Sequence, residues 1–282
     1  MLLRLSDADI ERWLAEDVPY GDLTTQALQI GLAPGCMVFR AGADMVASST
    51  EEAARLLVLA GARVDGVVPS GSRMHAGEVL LTADGPAAAL LAGWKVAQTL
   101  VEYASGIASA ARRIVDAARA VNPAVVVACT RKTFPGTKAV AVKAIMAGGA
   151  SAHRLGLSES VLLFPEHRAF FGDRGLAEVV AGLRSACPEK KIVVEVVDAA
   201  QAEEAIRAGA DVVQLERFSP AATRAVVEAV GGGATVIAAA GGVNAANAAE
   251  YAAAGALVLV TSAPYSASPV DVKVRVVAAS SP

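Results

Sequence analysis

The chain has 282 residues, a net charge of -3 at neutral pH, 54% hydrophobic residues and 19% charged ones, enough apolar material for one large or two modest domains with a buried core. No basic leader precedes an apolar run and no uncharged stretch approaches the roughly 18–20 apolar residues of a membrane span, so a cytoplasmic protein without membrane contact is expected. The absence of a long basic block argues against nucleic acid as a partner. The scattered Cys36, Cys129 and Cys187 suit neither a disulfide framework nor a zinc site.

Ser6 as N-cap, Asp9 in the first turn, and Ile10, Trp13 and Leu14 at helical spacing predict a helix over 7–15. Residues 36–40 and 45–48 read as two strands joined by a tight turn at 41–44. Thr50 is expected to cap a helix over 51–60 that Gly61 stops. Strands are expected at 64–68 and 78–82, and Pro86 opens a long helical region to about residue 121, interrupted near Ser105 and Gly106. Mixed elements with short connections suggest an antiparallel sheet covered by helices. The break sets the expected boundary: residues 1–104 as an N-terminal α/β sandwich domain on which 270–282 pack back, and 105–269 as a barrel domain.

Beyond that point the pattern becomes regular. Apolar runs at 125–129, 161–164, 192–197, 211–215, 234–239 and 256–260 alternate with Ala-rich segments at 138–147, 175–186, 199–208, 220–230 and 244–254. This is β-α repetition, with runs short enough for buried strands. Six strands leave an incomplete barrel or an open doubly wound sheet, and polar residues recurring at the strand ends favour the barrel, whose sites are built there. Thr130, Arg131, Lys132, Glu195, Glu216, Gly241, Gly242, Thr261 and Ser262 would share one rim, with His153 and Arg154 one helix-length segment beyond Lys132.

Glu195 and Glu216 could hold Mg²⁺, which asks for one or two carboxylates plus substrate phosphates, although strand-end glutamates equally serve as ion-pair partners. Gly241 and Gly242 expose backbone N–H groups to a phosphate, or simply turn the chain. Arg131 and Arg154 suit planar carboxylates through bidentate pairing, and Lys132 suits a phosphate as a point charge. Three neighbouring cations with His153 beside them are costly to leave unpaired, which points to an anionic substrate. His75 reads as a solvent-exposed turn residue and His167 as a loop residue for which a capping or structural role is expected at least as much as a functional one.

Glu16-Asp17, the block 21–25, Ser105-Gly106-Ile107-Ala108, Thr130-Arg131-Lys132-Thr133 with Pro135-Gly136, the block 153–157, Glu195-Val196, and Gly209-Ala210-Asp211 leading to Leu215 stand in the order found in quinolinate phosphoribosyltransferases. The chain resembles that family over nearly its whole length, and within it the ModD-type pyrophosphorylases associated with molybdate-transport operons. The resemblance implies an N-terminal α/β sandwich plus an incomplete, seven-stranded TIM-like α/β barrel, the type II phosphoribosyltransferase fold, and hence one strand more than the six read above. It also implies a homodimer or higher homo-oligomer whose partner subunit completes each site, and transfer of phosphoribosyl from phosphoribosyl pyrophosphate, with Mg²⁺, to a pyridine dicarboxylate that is then decarboxylated. Carried over, Lys132, Glu195 and Glu216 would be catalytic, the two glutamates holding the metal. Thr130, Arg131, His153, Arg154, Gly241, Gly242 and Ser262 would bind substrate, and Lys95 would reach the partner's site.

Several positions depart from the family pattern. Lys95 stands where an arginine is usual, Phe164 where a lysine is usual, Glu216 for an aspartate and Ala240 for a serine. Ala141 and Val142 replace an acidic-basic pair, with Lys143 displaced by one. Lys95 loses the bidentate fork and Phe164 removes a cation from the acid pocket, so quinolinate itself is not the expected acceptor. Two other readings stay open on the residues: a small-anion binding protein without catalysis, and a Schiff-base aldolase built on Lys132.

Overall fold

The computed structural model describes residues 5–279, so residues 280–282 of the expected C-terminal packing segment lie outside it. The chain forms α1 (Asp7–Asp17), α2 (Leu23–Ala27), β1 (Pro34–Ala41), β2 (Met45–Val46), α3 (Thr50–Leu59), β3 (Arg63–Val67), β4 (Arg73–Met74), β5 (Val79–Pro86) and α4 (Ala87–Val121). Next come β6 (Val126–Cys129), α5 (Lys138–Ala147), β7 (Ser151–Ala152), β8 (Val161–Leu163), α6 (Pro165–Arg168), α7 (Leu176–Ala186), β9 (Ile192–Val196) and α8 (Ala199–Arg207). The series ends with β10 (Val212–Glu216), α9 (Pro220–Val230), β11 (Val236–Ala240), α10 (Ala248–Ala253), β12 (Val258–Thr261) and β13 (Val272–Ala278). Two compact units result. One gathers the chain up to Arg112, residues Phe134–Gly149 and the segment from Pro264 onward; the other holds Arg113–Thr133 and Ala150–Ala263. No helix among the described residues is long and apolar enough to cross a membrane.

In the first unit a four-stranded antiparallel sheet has the order β13-β1-β5-β3. Alternation along β1 sends Met37 and Phe39, both fully buried, into a core shared with Leu56, Leu57, Leu80, Leu81 and Leu90. The expected hairpin of residues 36–40 with 45–48 does not form. Both edges of β1 are taken by β5 and β13, and β2 pairs instead with β4 in a separate two-stranded ladder. Gly42 is the reason the chain can leave β1 there. Its N–H donates to the Asp271 carbonyl at 2.8 Å, and a Cβ would lie 2.6 Å from that oxygen. The cap of α3 is Ser49, in the left-handed region at φ 58°, while the Thr50 hydroxyl donates to the Val68 carbonyl at 2.6 Å.

The expected interruption of α4 at Ser105 and Gly106 is absent; the helix is continuous over 35 residues. The small residues serve close approach. The Ser105 hydroxyl accepts from the Ser48 N–H at 3.0 Å, and a Cβ on Gly106 would lie 2.3 Å from the Ser268 carbonyl oxygen. Lys143 of α5, 3% exposed, holds Glu52 at 2.5 Å and Glu51 at 2.9 Å. It therefore belongs to an ion cluster of the first unit.

The second unit is a parallel sheet of seven strands in the order β7-β6-β12-β11-β10-β9-β8. Chain order is kept around the ladder, β6 pairs with β12, and the gap lies between β7 and β8, which makes an incomplete barrel. The strand beyond the six apolar runs is β7, two residues after the turn at Gly148 and Gly149, too short to show a hydrophobic period. On one face Ile192, Val194, Val196, Val213, Leu215 and Ile237 pack with residues of α7, α8 and α9. On the other Ala238, Ala240 and Val260 form a small cluster with Val212 and Val258. A side-chain period of two thus places Glu195, Gln214 and Glu216 on the concave face, with Ala240 and Val260.

Candidate functional site

Because all seven strands are parallel, their C-terminal ends share one rim, where a cavity of about 170 Å³ opens. Its lining includes Thr130, Arg131, Lys132, His153, Arg154, Glu195, Glu216, Gly241, Gly242 and Ser262, ten of the residues singled out from the sequence. A wider basin of about 1030 Å³ shares Arg131, Lys132, Arg154, Phe164, Glu195 and Glu216 with it. Lys95 lies elsewhere, exposed on α4 in the first unit, with its ammonium 4.6 Å from the Trp94 ring and 3.0 Å from Gln98 Oε1.

The cations are positioned from β6 and β7. The Thr130 N–H donates to the Thr261 carbonyl at 2.9 Å, and its hydroxyl accepts from the Lys132 N–H at 3.3 Å, which folds the exposed Arg131-Lys132 pair over the strand end. The His153 N–H donates to the Cys129 carbonyl at 2.8 Å, extending the β6–β7 ladder. Burial, then the neighbouring Arg154 charge, lowers the His153 pKa and favours the neutral imidazole. Arg154 is only 6% exposed, and burial, with Arg131 adding repulsion, lowers its pKa against the pull of Glu195. Its guanidinium carbon lies 5.3 Å from the centre of the Phe164 ring, a cation–π contact. The other partner of that ring is His167, stacked at 5.8 Å and 15°, whose Nδ1 accepts from the Phe164 N–H at 2.9 Å. His167 thus has the structural, capping role expected of it. His75 is exposed beside Asp44.

The carboxylates stand on adjacent strands. Burial raises the Glu195 pKa; the Gln214 hydrogen bond opposes this, the charges of Glu216 and Glu166 add to it, and Lys132 lowers it. Gln214 Nε2 donates to Glu195 Oε2 at 2.6 Å. Glu216 Oε1 is 3.5 Å from Arg217 Nε, and Arg217 adopts φ 61° while its N–H donates to the Ala240 carbonyl at 2.9 Å. Gly241, at φ 81°, is needed for packing as well as for the turn, since a Cβ there would lie 2.8 Å from Glu216 Oε1 and 2.6 Å from Arg217 Cγ. Gly242, at φ 92°, would meet nothing within 4 Å, and its carbonyl is fixed by the side-chain amides of Asn244 and Asn247 at 3.0 and 3.1 Å. Of the two glycines it is Gly242 that leaves open space for a ligand.

Gln214 and Arg217 were not anticipated from the sequence. Gln214 could have been found by counting back two from Glu216, since alternate residues share a face, but a glutamine inside an apolar run carries no chemical signature by itself. Among the described residues no group of three or more His, Cys, Asp or Glu is arranged to hold a metal. Two adjacent carboxylates nevertheless fit Mg²⁺, which keeps waters and leans on substrate phosphates rather than on a protein-only cage.

Residues 107–275 match the family model for the quinolinate phosphoribosyl transferase C-terminal domain, and 22–105 match the one for its N-terminal domain. The chain is 53% identical over 246 residues to a Rhodobacter capsulatus protein named "Putative pyrophosphorylase ModD", covering 87% of this chain and 95% of the relative. It is 32% identical over 256 residues to the carboxylating nicotinate-nucleotide pyrophosphorylase of Mycobacterium leprae, covering 87% and 88% of the two chains. Among solved structures, NadC from Streptococcus pyogenes superposes with a TM-score of 0.89 at 24% identity, covering 98% of this chain and 99% of that one. The nicotinate-nucleotide pyrophosphorylase from Francisella tularensis gives 0.89 at 20%, covering 97% and 98%. At those identities the two structures establish the shared fold.

Proposed function

Because the chain belongs to the quinolinate phosphoribosyltransferase family, we propose that it transfers phosphoribosyl from phosphoribosyl pyrophosphate to a carboxylated aromatic or heterocyclic acceptor, releasing pyrophosphate. The observation that carries this reading is the convergence of Arg131, Lys132 and the buried Arg154 opposite Glu195 and Glu216 on one rim. Cations fixed in place stabilise the negative charge that develops on a leaving pyrophosphate without reorganising during the reaction. Lys132, with the Gly242 backbone, Thr130 and Ser262, takes the phosphates. Glu195 and Glu216 would hold Mg²⁺, which would supply positive charge for the leaving pyrophosphate. Arg131, His153 and Arg154 receive the acid of the acceptor, with Arg154 oriented by Phe164. An aromatic nitrogen nucleophile attacks the anomeric carbon without a general base, so the protein's task is alignment.

Phe164 in the place of a cation makes a dicarboxylate such as quinolinate a poor acceptor. A second subunit would contribute Lys95, a point charge without the bidentate fork of arginine. The proposal extends to a cytoplasmic role beside molybdate transport, which draws on the resemblance to ModD-type chains and on no residue of the site. A second reading, an anion-binding protein without turnover, draws on Ala240 and Phe164, which leave the site one hydroxyl and one cation poorer.

Calorimetry with phosphoribosyl pyrophosphate and Mg²⁺ tests the reading, with Lys132→Ala expected to weaken binding at least tenfold. No binding by the wild-type protein would end it. Pyrophosphate release across a panel of heterocyclic acids then separates transfer from binding alone. Borohydride trapping with carbonyl compounds should leave Lys132 unlabelled; a labelled lysine would revive the aldolase alternative.

A further inference from the structure

The deepest polar side chain of the cavity is Gln214, 3% exposed and aligned with Glu195 across the β9–β10 ladder. Its two ends are treated unequally. Nε2 donates to Glu195 Oε2 at 2.6 Å, while Oε1, fully buried, has no hydrogen-bond partner among the described residues. Buried acceptors are almost always satisfied, and one left open in the wall of a site is a place for a donor to arrive. The donors that share the lining, Arg131, Lys132, His153 and Arg154 among them, make no hydrogen bond to Gln214 Oε1. Leu162, Ala240 and Val260 are apolar, and the Thr261 hydroxyl already donates to the Val243 carbonyl at 2.6 Å.

We propose that Gln214 is a specificity-determining residue whose Oε1 accepts a hydrogen bond from an O–H or N–H of the bound ligand, while its amide nitrogen holds Glu195 in place. This rests on the phosphoribosyl-transfer reading and adds to it a requirement for a donor at the cavity floor. Glu195 and Gln214 present two acceptors side by side, an arrangement that suits the adjacent hydroxyls of a sugar. An amino or hydroxyl substituent on the acceptor is the other source of the same chemistry. A site built to pair a polar group rejects an analogue lacking it far more strongly than an apolar pocket rejects a change of size.

The test is a cycle of ligand and side-chain deletions on the full chain. Gln214→Met keeps length and volume without the amide. Calorimetry in Mg²⁺ would compare ribose 5-phosphate with its 2-deoxy and 3-deoxy analogues in both proteins. If a sugar hydroxyl is the donor, Gln214→Met loses about ten- to a hundredfold in affinity for ribose 5-phosphate. With the analogue lacking that hydroxyl the loss shrinks to the smaller part, shared by every ligand, that comes from the lost support of Glu195. If the acceptor supplies the donor, sugar affinities stay equal and the acceptor KM rises only for acids that carry an N–H or O–H substituent. Equal losses for every ligand would mean that Gln214 merely steadies Glu195, and wild-type behaviour throughout would mean that water fills the position; either overturns the proposal. Gln214→Leu, which removes the amide with a branched side chain of similar volume, repeats the comparison if the Met variant fails to fold. Absence of phosphoribosyl pyrophosphate binding by the wild type would instead remove the transfer reading, and this inference with it.

Discussion

Glu195 is held in a setting that does not favour its own charge. Burial raises its pKa, and Glu216 and Glu166 add repulsion. A carboxyl whose folded pKa is raised contributes stability below its unfolded pKa and loses it as pH rises through the folded value, so the ionised form at neutral pH costs the fold something. Glu195→Gln should therefore stabilise the ligand-free protein by about 0.5–1 kcal/mol at neutral pH while abolishing Mg²⁺-dependent binding of phosphoribosyl pyrophosphate. Thermal melts and calorimetry on the same samples check both halves. In the wild type the same binding should weaken as pH falls through the raised Glu195 pKa, because the metal takes the carboxylate. On the proposed function, Phe164 limits the charge of the acceptor. Phe164→Lys adds a cation beside Arg154, and relative kcat/KM for dicarboxylate over monocarboxylate acceptors should rise at least tenfold, about 1.4 kcal/mol in the transition state. Competition assays with paired acids read the change directly.

At the level of elements, the buried cluster of α3 and α5 is the part of the fold most exposed to single substitutions. Lys143 Nζ contacts Glu51 at 2.9 Å and Glu52 at 2.5 Å, and Glu51 also receives the Ser70 N–H at 2.7 Å. Lys143→Met would leave the Glu52 carboxylate buried and uncompensated, a loss of about 3–5 kcal/mol measurable by urea denaturation. Burial pushes the Glu51 carboxyl up, but hydrogen bonds from Ser70 and Lys143 outweigh it and hold the pKa at about 2, against an ordinary 4.5. Its contribution is thus full above pH 4.5 and lost as pH falls toward 2, and Glu51→Gln should flatten the acid limb of the stability curve in that window. None of this is legible in the sequence, where Lys143 reads only as a lysine one place displaced from the family pattern. The repeating second unit was legible because apolar runs and Gly-stopped helices recur, and the rim residues followed from strand ends. What escaped depended on distant partners: Ser105 and Gly106 look like a helix break until Ser48 and Ser268 stand against them, and two-residue β7 has no period to detect.

At the scale of the molecule, the second unit is drawn from two stretches of sequence, Arg113–Thr133 and Ala150–Ala263, that alternate with those of the first, and the two sheets obey different rules. The parallel sheet is assembled from strands that follow one another, whereas β1 is completed on one side by β13, in a register running from Gly35 with Ala278 to Ala41 with Val272. Ending the chain before Val272 would strip β1 of that partner and leave an open ladder edge with an apolar face behind it. Such a variant should self-associate, seen as a rise in light scattering under conditions where the full chain stays dispersed.

The pairing of β1 with β13 also sets a timetable for synthesis. Every strand that builds the cavity precedes β13 in the chain, so the site-bearing sheet needs nothing beyond Thr261 while the sheet begun at β1 is still short of one strand. A chain broken off between Thr261 and Val272 would thus keep every strand of the cavity and carry one raw sheet edge. Quality-control proteases, which act on unfinished structure and take no account of activity, would meet that edge first.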